Sequence, residues 1–340
     1  MSLKYCLTSL IIFSACESTI DINSPDDYTS SLAIRGEFNP DSIWSVEISQ
    51  SLPLNSSLPI EEYQIKDATV TIKGESGRQE TLIHTKNGVY LSELGTRPII
   101  GEEYRLDVSS PGFASVYAIS HAPMLKSTFL DLQDVSIGSQ ELPIYRIRFS
   151  VTDLSGRSFY QLLVYQVFRS CLDDDDSVDL FDNPDGVPAL YLIRFDSSDP
   201  SLFDSFTSLD RPPVPFNQYY GTFFTGYFSD KLFENETREF EIFTRPPYIS
   251  EIDSDIYFKI VVTSLNEDLV LWSRSITIQD DYLTGTDPIL LGTPTNVYSN
   301  IQGGLGIFSG STNHTYLIDS NGNEWTENEI GLGSPLPLCD

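Results

Sequence analysis

Along most of this chain apolar and polar side chains alternate with a period of two. Residues 32–38, 44–50, 68–73, 103–109 and 115–120 each place apolar residues at every second position. In an extended segment that period collects them on one face, so each stretch reads as a strand with one buried side. Asn39-Pro40-Asp41, Gly74 to Gly77, Asn87-Gly88 and Pro111-Gly112 punctuate them as turns. Strands so spaced predict a small antiparallel sandwich, immunoglobulin- or transthyretin-like, over residues 32–123.

The pattern continues through residues 124–340 as a larger β-rich domain. Strands are expected at 128–135, 144–152, 158–169, 191–195, 223–228, 238–243 and 255–264, with late ones at 296–301, 305–308 and 315–318. In 144–152 the alternation sets Ile144, Arg146 and Arg148 against Tyr145, Ile147 and Phe149. One segment changes period. Leu265, Leu269, Trp272 and Ile276 fall at helical spacing, Asn266 stands where a cap would, and Glu267 and Asp268 suit a first turn. A short helix is predicted there, although 275–278 reads equally as strand.

The N-terminus follows a different logic. Lys4 is followed by an apolar run over residues 5–13 and then Ser14-Ala15-Cys16. That layout is a lipoprotein signal peptide over residues 1–15, with Cys16 as the lipidated first residue. The apolar run is too short to span a bilayer as a helix. A soluble secreted protein with a coincidental Cys16 is the alternative. Residues 16–31 are polar and acidic and read as a tether.

Composition sharpens this picture. The chain has 340 residues, 40% hydrophobic and 12% aromatic, so it can bury two cores. Its formal charge is -29. A nucleic acid or an anionic lipid surface would be repelled, so membrane attachment would rest on the lipid at Cys16. After loss of the leader, Cys171 and Cys339 are the pair available for a disulfide; two free thiols are the other reading.

The candidate chemistry is sparse. Asp173, Asp175, Asp182 and Asp185 lie in an acidic loop whose oxygens suit calcium, the one cofactor suggested. The spacing is not that of an EF-hand, and a solvated charge run is the plainer reading. Asp319, Asn321 and Asn323 surround Gly322 and read as an Asn-Gly hairpin rather than a cation turn. Gly303-Gly304-Leu305-Gly306 precedes a strand, not a helix, so close backbone approach explains it better than a phosphate cradle. Phe216, Tyr219, Tyr220 and Phe223 form the best aromatic contact surface for a ligand or partner, while Phe224 and Phe228 read as core. His84, His121 and His314 are the three histidines and lie in separate segments. No nucleophile elbow, zinc-protease helix or dithiol motif occurs, which points away from an enzyme.

Several segments taken in order resemble a family. Cys16-Glu17-Ser18-Thr19-Ile20-Asp21-Ile22, the strand Leu32-Ala33-Ile34-Arg35-Gly36-Glu37, then 68–72 and 88–90 are similar to the start of domain-of-unknown-function 4249 lipoproteins of Bacteroidota. Phe228-Ser229-Asp230-Lys231-Leu232-Phe233 and the stretch from Asn296 to Phe308 resemble later family motifs. Where the family often has Asp-Gly after the mid-chain motif, this chain has Asn235-Glu236. The resemblance implies an outer-membrane lipoprotein, on the periplasmic or the cell-surface side. It implies a TonB-dependent receptor of the starch-utilisation type as partner, and it supplies no catalytic residues. A surface glycan- or peptide-binding lipoprotein is the alternative function.

Overall fold

The computed structural model describes residues 28–53, 56, 58–136, 143–154, 156–168, 189–203, 226–246, 256–284, 296–330 and 332. Cys16, the leader, Cys171, Cys339, the acidic-loop aspartates Asp173, Asp175, Asp182 and Asp185, and the aromatics Phe216, Tyr219, Tyr220 and Phe223 lie outside them.

The described chain is mostly β. Its first part runs β1 (Leu32–Phe38), β2 (Ser45–Gln50), the single turn α1 (Ile60–Tyr63), β3 (Thr69–Gly74), β4 (Gln79–Lys86), β5 (Val89–Leu91), β6 (Glu103–Ser109) and β7 (Val116–His121). The second part contains β8 (Ser127–Asp134), β9 (Tyr145–Thr152), β10 (Phe159–Phe168), β11 (Ala189–Ile193), β12 (Phe195–Asp196), β13 (Tyr227–Ser229), β14 (Thr237–Thr244) and β15 (Tyr257–Leu265). It closes with α2 (Glu267–Thr284) and β16 (Leu305–Asp319).

One long sheet follows the order β11-β10-β15-β16-β1-β2-β5-β4-β3-β6-β7, with β13 beside β10. A second sheet has the order β12-β14-β9-β8. The long sheet joins both parts of the chain through β16. Its first half lies parallel to β1, from Ala33↔Leu305 to Phe38↔Gly310. Its second half lies antiparallel to β15, from Leu265↔Ser311 to Tyr257↔Asp319. The two short strands expected at 305–308 and 315–318 are the ends of this one strand. The Ser-Gly-Ser-Thr-Asn run between them looks like a break, yet Ser309 and Thr312 are buried.

Among the described residues two large cores follow from this topology, beside two small clusters. The first gathers apolar residues of β1 to β7 with Ile301 and Phe308 from the far end of the chain. Its centre is aromatic: Phe308 lies 4.8 Å from Phe38, which lies 4.9 Å from Trp44, which lies 4.7 Å from Tyr104. The second core lies between the two sheets. Tyr145, Ile147, Phe149 and Val151 of β9 meet Leu162, Val164, Phe258, Ile260 and Val262. The alternation read in β9 holds, with Arg146 and Arg148 on the outer face near Asp131.

Several local expectations are revised. The predicted short helix spans 18 residues and continues through 275–278. Asn266 precedes it, but its amide nitrogen donates to Ser120 Oγ and to the His121 carbonyl, tying the helix start to β7. Residues 296–301 are not a strand. They run as a strap, held by Tyr298 and Asn300 to Asp268 of α2. The β4–β5 hairpin was hidden because, of the eight residues of β4, Leu82 alone is buried. Its turn, Asn87-Gly88, has φ of 55° and 72°, the left-handed pair a tight hairpin requires. At Gly306 a Cβ would stand 1.9 Å from the Ile34 carbonyl, which accounts for a glycine in that run.

Candidate functional site

Two of the stretches that carry the family resemblance, 228–233 and 296–308, are held by hydrogen bonds that fix the fold. In the mid-chain motif the Asp230 carboxylate accepts from the Ser158 backbone N–H at 2.8 Å. Asp153 accepts from the Ser158 hydroxyl at 2.9 Å and from the Asn235 backbone N–H at 2.7 Å. Both aspartates are buried. Burial raises the Asp230 carboxyl above its ordinary value, partly offset by the Ser158 N–H, and the charges of Asp153 and Glu234 raise it further. The pair staples the corner between β9, β10 and β14. Asn235, which stands where the family often has Asp-Gly, sits at φ 58° and so adopts the left-handed conformation of a turn.

The later motif is a clasp. The Asn300 amide donates to Asp268 at 3.0 Å and to the Phe308 carbonyl at 2.8 Å, and its oxygen accepts from the Phe308 N–H at 2.9 Å. The Tyr298 backbone N–H donates to Ser275 Oγ at 2.8 Å. Burial and the Asp268 carboxylate push the Tyr298 phenol up to about 12. This clasp fixes α2 against the sheet. Trp272 of the same helix takes the Arg35 guanidinium over its ring at 5.9 Å.

Fixing α2 creates a groove. The helix crosses one end of the sheet face that β10, β15 and β16 turn away from the second core. Between them is a cavity of about 320 Å³, lined by Gln161, Leu163, Tyr165, Tyr227, Thr263 and Asn313 among others. The register makes a straight row across four strands. Tyr227 of β13 pairs Gln161, Gln161 pairs Thr263, and Thr263 pairs Asn313. Leu163 and Val261 pair on one side of this row, and Leu265 and Ser311 on the other. Leu269 and Ser273 of α2 overhang the latter side.

Electrostatically the groove is quiet. Its carboxylate, Glu37, is held by the Arg35 guanidinium at 2.9 Å. Burial raises the Tyr227 phenol, a hydrogen bond with Ser273 opposes this, and the Glu37 charge adds to it. Burial alone raises Tyr165. Both rings are therefore neutral at physiological pH and offer a hydroxyl and an aromatic face.

Two further polar clusters are accounted for by packing. Ser127 Oγ lies 2.9 Å from His314 Nδ1 and 2.8 Å from the Tyr316 hydroxyl, pinning β8 to β16. Asp319 accepts from the Asn321 and Asn323 backbone N–H groups, the Asn323 amide and Trp325 Nε1, each within 2.8–3.0 Å. That is a hairpin cap, as its Asn-Gly turn suggests. Among the described residues no group of three or more His, Cys, Asp or Glu side chains is placed to hold a metal ion. No helix among them is long and apolar enough to cross a membrane.

Sequence reading reached the neighbourhood of the groove but not its residues. Phe228 is buried, stacked on Tyr160 at 5.2 Å, as its core reading requires. Tyr227, one residue earlier, faces the groove. Gln161, Thr263 and Asn313 carried no motif, and in β10 the two faces are equally apolar, so Gln161 had no positional signal either. The family described as Domain of unknown function (DUF4249) matches residues 17–316. No curated protein matches the chain.

Proposed function

The chain belongs to the DUF4249 family, and from that premise we propose a non-enzymatic outer-membrane lipoprotein that acts as accessory or assembly partner of a TonB-dependent transporter. The observation that carries this reading is the apolar run ending in Ser14-Ala15-Cys16, sixteen residues before the first strand begins at Leu32. Lipid on Cys16 would confine the fold close to the bilayer. A fully extended tether of that length reaches at most about 55 Å. Within that radius a barrel in the same membrane is met at high effective concentration, so a modest interface suffices for assembly.

The test is recovery of C-terminally tagged full-length protein from detergent-solubilised outer membranes, followed by mass spectrometry. A β-barrel receptor recovered in near-equal amount supports the accessory role. An acylated protein recovered alone refutes it.

A second reading, a surface glycan- or peptide-binding lipoprotein, is favoured by a different observation. The groove under α2 is a concave site with convergent polar groups on a rigid sheet, the usual form of a small-ligand site.

A further inference from the structure

We propose that the groove under α2 binds one or two rings of a neutral saccharide, read by the cross-strand row Tyr227, Gln161, Thr263 and Asn313. The proposal rests on the second reading above and names its ligand class.

Three features select this class. The first is that the centre of the row, Gln161 and Thr263, offers side chains only. Gln161 is paired with Tyr227 on one edge and Thr263 on the other, and Thr263 with Gln161 and Asn313. The backbone there is committed to the sheet, so an extended peptide finds no open ladder to join. Recognition falls to side chains.

The second is the kind of groups presented. Phenol, hydroxyl and carboxamide side chains all both donate and accept hydrogen bonds. A ligand bearing many hydroxyls matches them in either sense. A carboxylate or phosphate finds no cation in the row, and the whole chain carries -29. A cation finds Glu37 already engaged by Arg35.

The third is shape. The polar row is flanked by Leu163 and Val261 on one side and by Leu265 on the other, so hydroxyl-binding groups and apolar strips alternate across the groove. A sugar ring has the same alternation of hydroxyl edges and C–H faces. A cavity of about 320 Å³ lies at the small end for ligand sites and suits one or two rings, not a long chain.

The experiment uses full-length protein in a detergent without a sugar headgroup. Maltose, cellobiose, lactose, N-acetylneuraminic acid and triglycine are tested by saturation-transfer NMR and calorimetry. At least one neutral disaccharide is expected to bind, and the acid is not. Asn313→Leu and Thr263→Val remove polar atoms with little change in volume. Each should weaken that binding by about three- to tenfold, the worth of one hydrogen bond. Tyr227→Phe, which deletes a single oxygen, carries the same expectation if either of those variants loses its melting transition. Failure of all three disaccharides to bind, or binding unchanged in the variants, overturns the proposal. Triglycine binding that Asn313→Leu abolishes overturns the sugar assignment while leaving the binding-module reading in place. Silence from every probe removes both.

Discussion

Phe308→Ala tests the claim that the last strand completes the first core. Phe308 has 0% exposure and sits against Phe38 at 4.8 Å and Trp44 at 6.4 Å. Gly36 leaves room for it: a Cβ at that position would lie 2.9 Å from the Phe308 ring. Losing a fully buried aromatic side chain forfeits a transfer term of about 1.5–3 kcal/mol. The ring pair adds about 0.5–1.5 kcal/mol. The cavity left in a core that cannot collapse brings the total to about 3–5 kcal/mol. Against a typical stability of about 5–15 kcal/mol, that is a large fraction. Urea unfolding followed by tryptophan fluorescence and near-ultraviolet circular dichroism measures it, since Trp44 lies in the same aromatic cluster. A midpoint shift equivalent to less than about 1 kcal/mol would refute the reasoning. So would a fragment ending before Leu305 that unfolds at the wild-type denaturant concentration.

Two other predictions concern single side chains. Asn235→Gly is expected to leave stability within about 1 kcal/mol of wild type, whereas Asn235→Val, forced to the same φ of 58°, should lose about 1–3 kcal/mol; melting temperatures separate the two, and equal effects would contradict the turn assignment. At Asp319, burial works to raise the carboxyl, but the hydrogen bonds from Asn323, Trp325 and Asn321 outweigh it and hold it below the ordinary range. Because the folded value is depressed, its contribution is complete above the unfolded value of about 3.9 and is lost as pH falls through the lower folded value. Asp319→Asn should therefore cost about 1–3 kcal/mol at pH 7 and progressively less as the medium is acidified below pH 4. Unfolding curves at several pH values check this, and a cost that grows with acid would refute it.

The strands with a clean period of two were legible: β1 and β6 run over the residues their alternation marks. What sequence could not supply was partnership. Nothing in Leu32–Phe38 says that its neighbour is Leu305 to Gly310, because a parallel pair formed across most of the chain leaves no local turn to read. The continuity of β16 was masked for a related reason. Its polar middle passes from one core to the other, so burial there does not track hydrophobicity. The groove was illegible because it exists only as register: Gln161, Thr263 and Asn313 are unremarkable singly and become a row through pairing. Helix α2 was found from its spacing, but its attachment to the strap through Tyr298 and Asn300 is a contact that no helical period encodes.

The union of Leu32–Phe38 with Leu305–Asp319 also has a consequence in time. Ala33 leaves the ribosome 272 residues before its partner Leu305. At roughly 5–20 residues per second this is an interval of about 15–50 s. Throughout it one flank of β1 has no ladder to join, and the aromatic cluster around Trp44 lacks Phe308. Any β1 that forms before Leu305 follows therefore has an open, sticky edge. Such an edge invites pairing with other chains, which makes this protein a natural client for a holding chaperone until its final strand arrives.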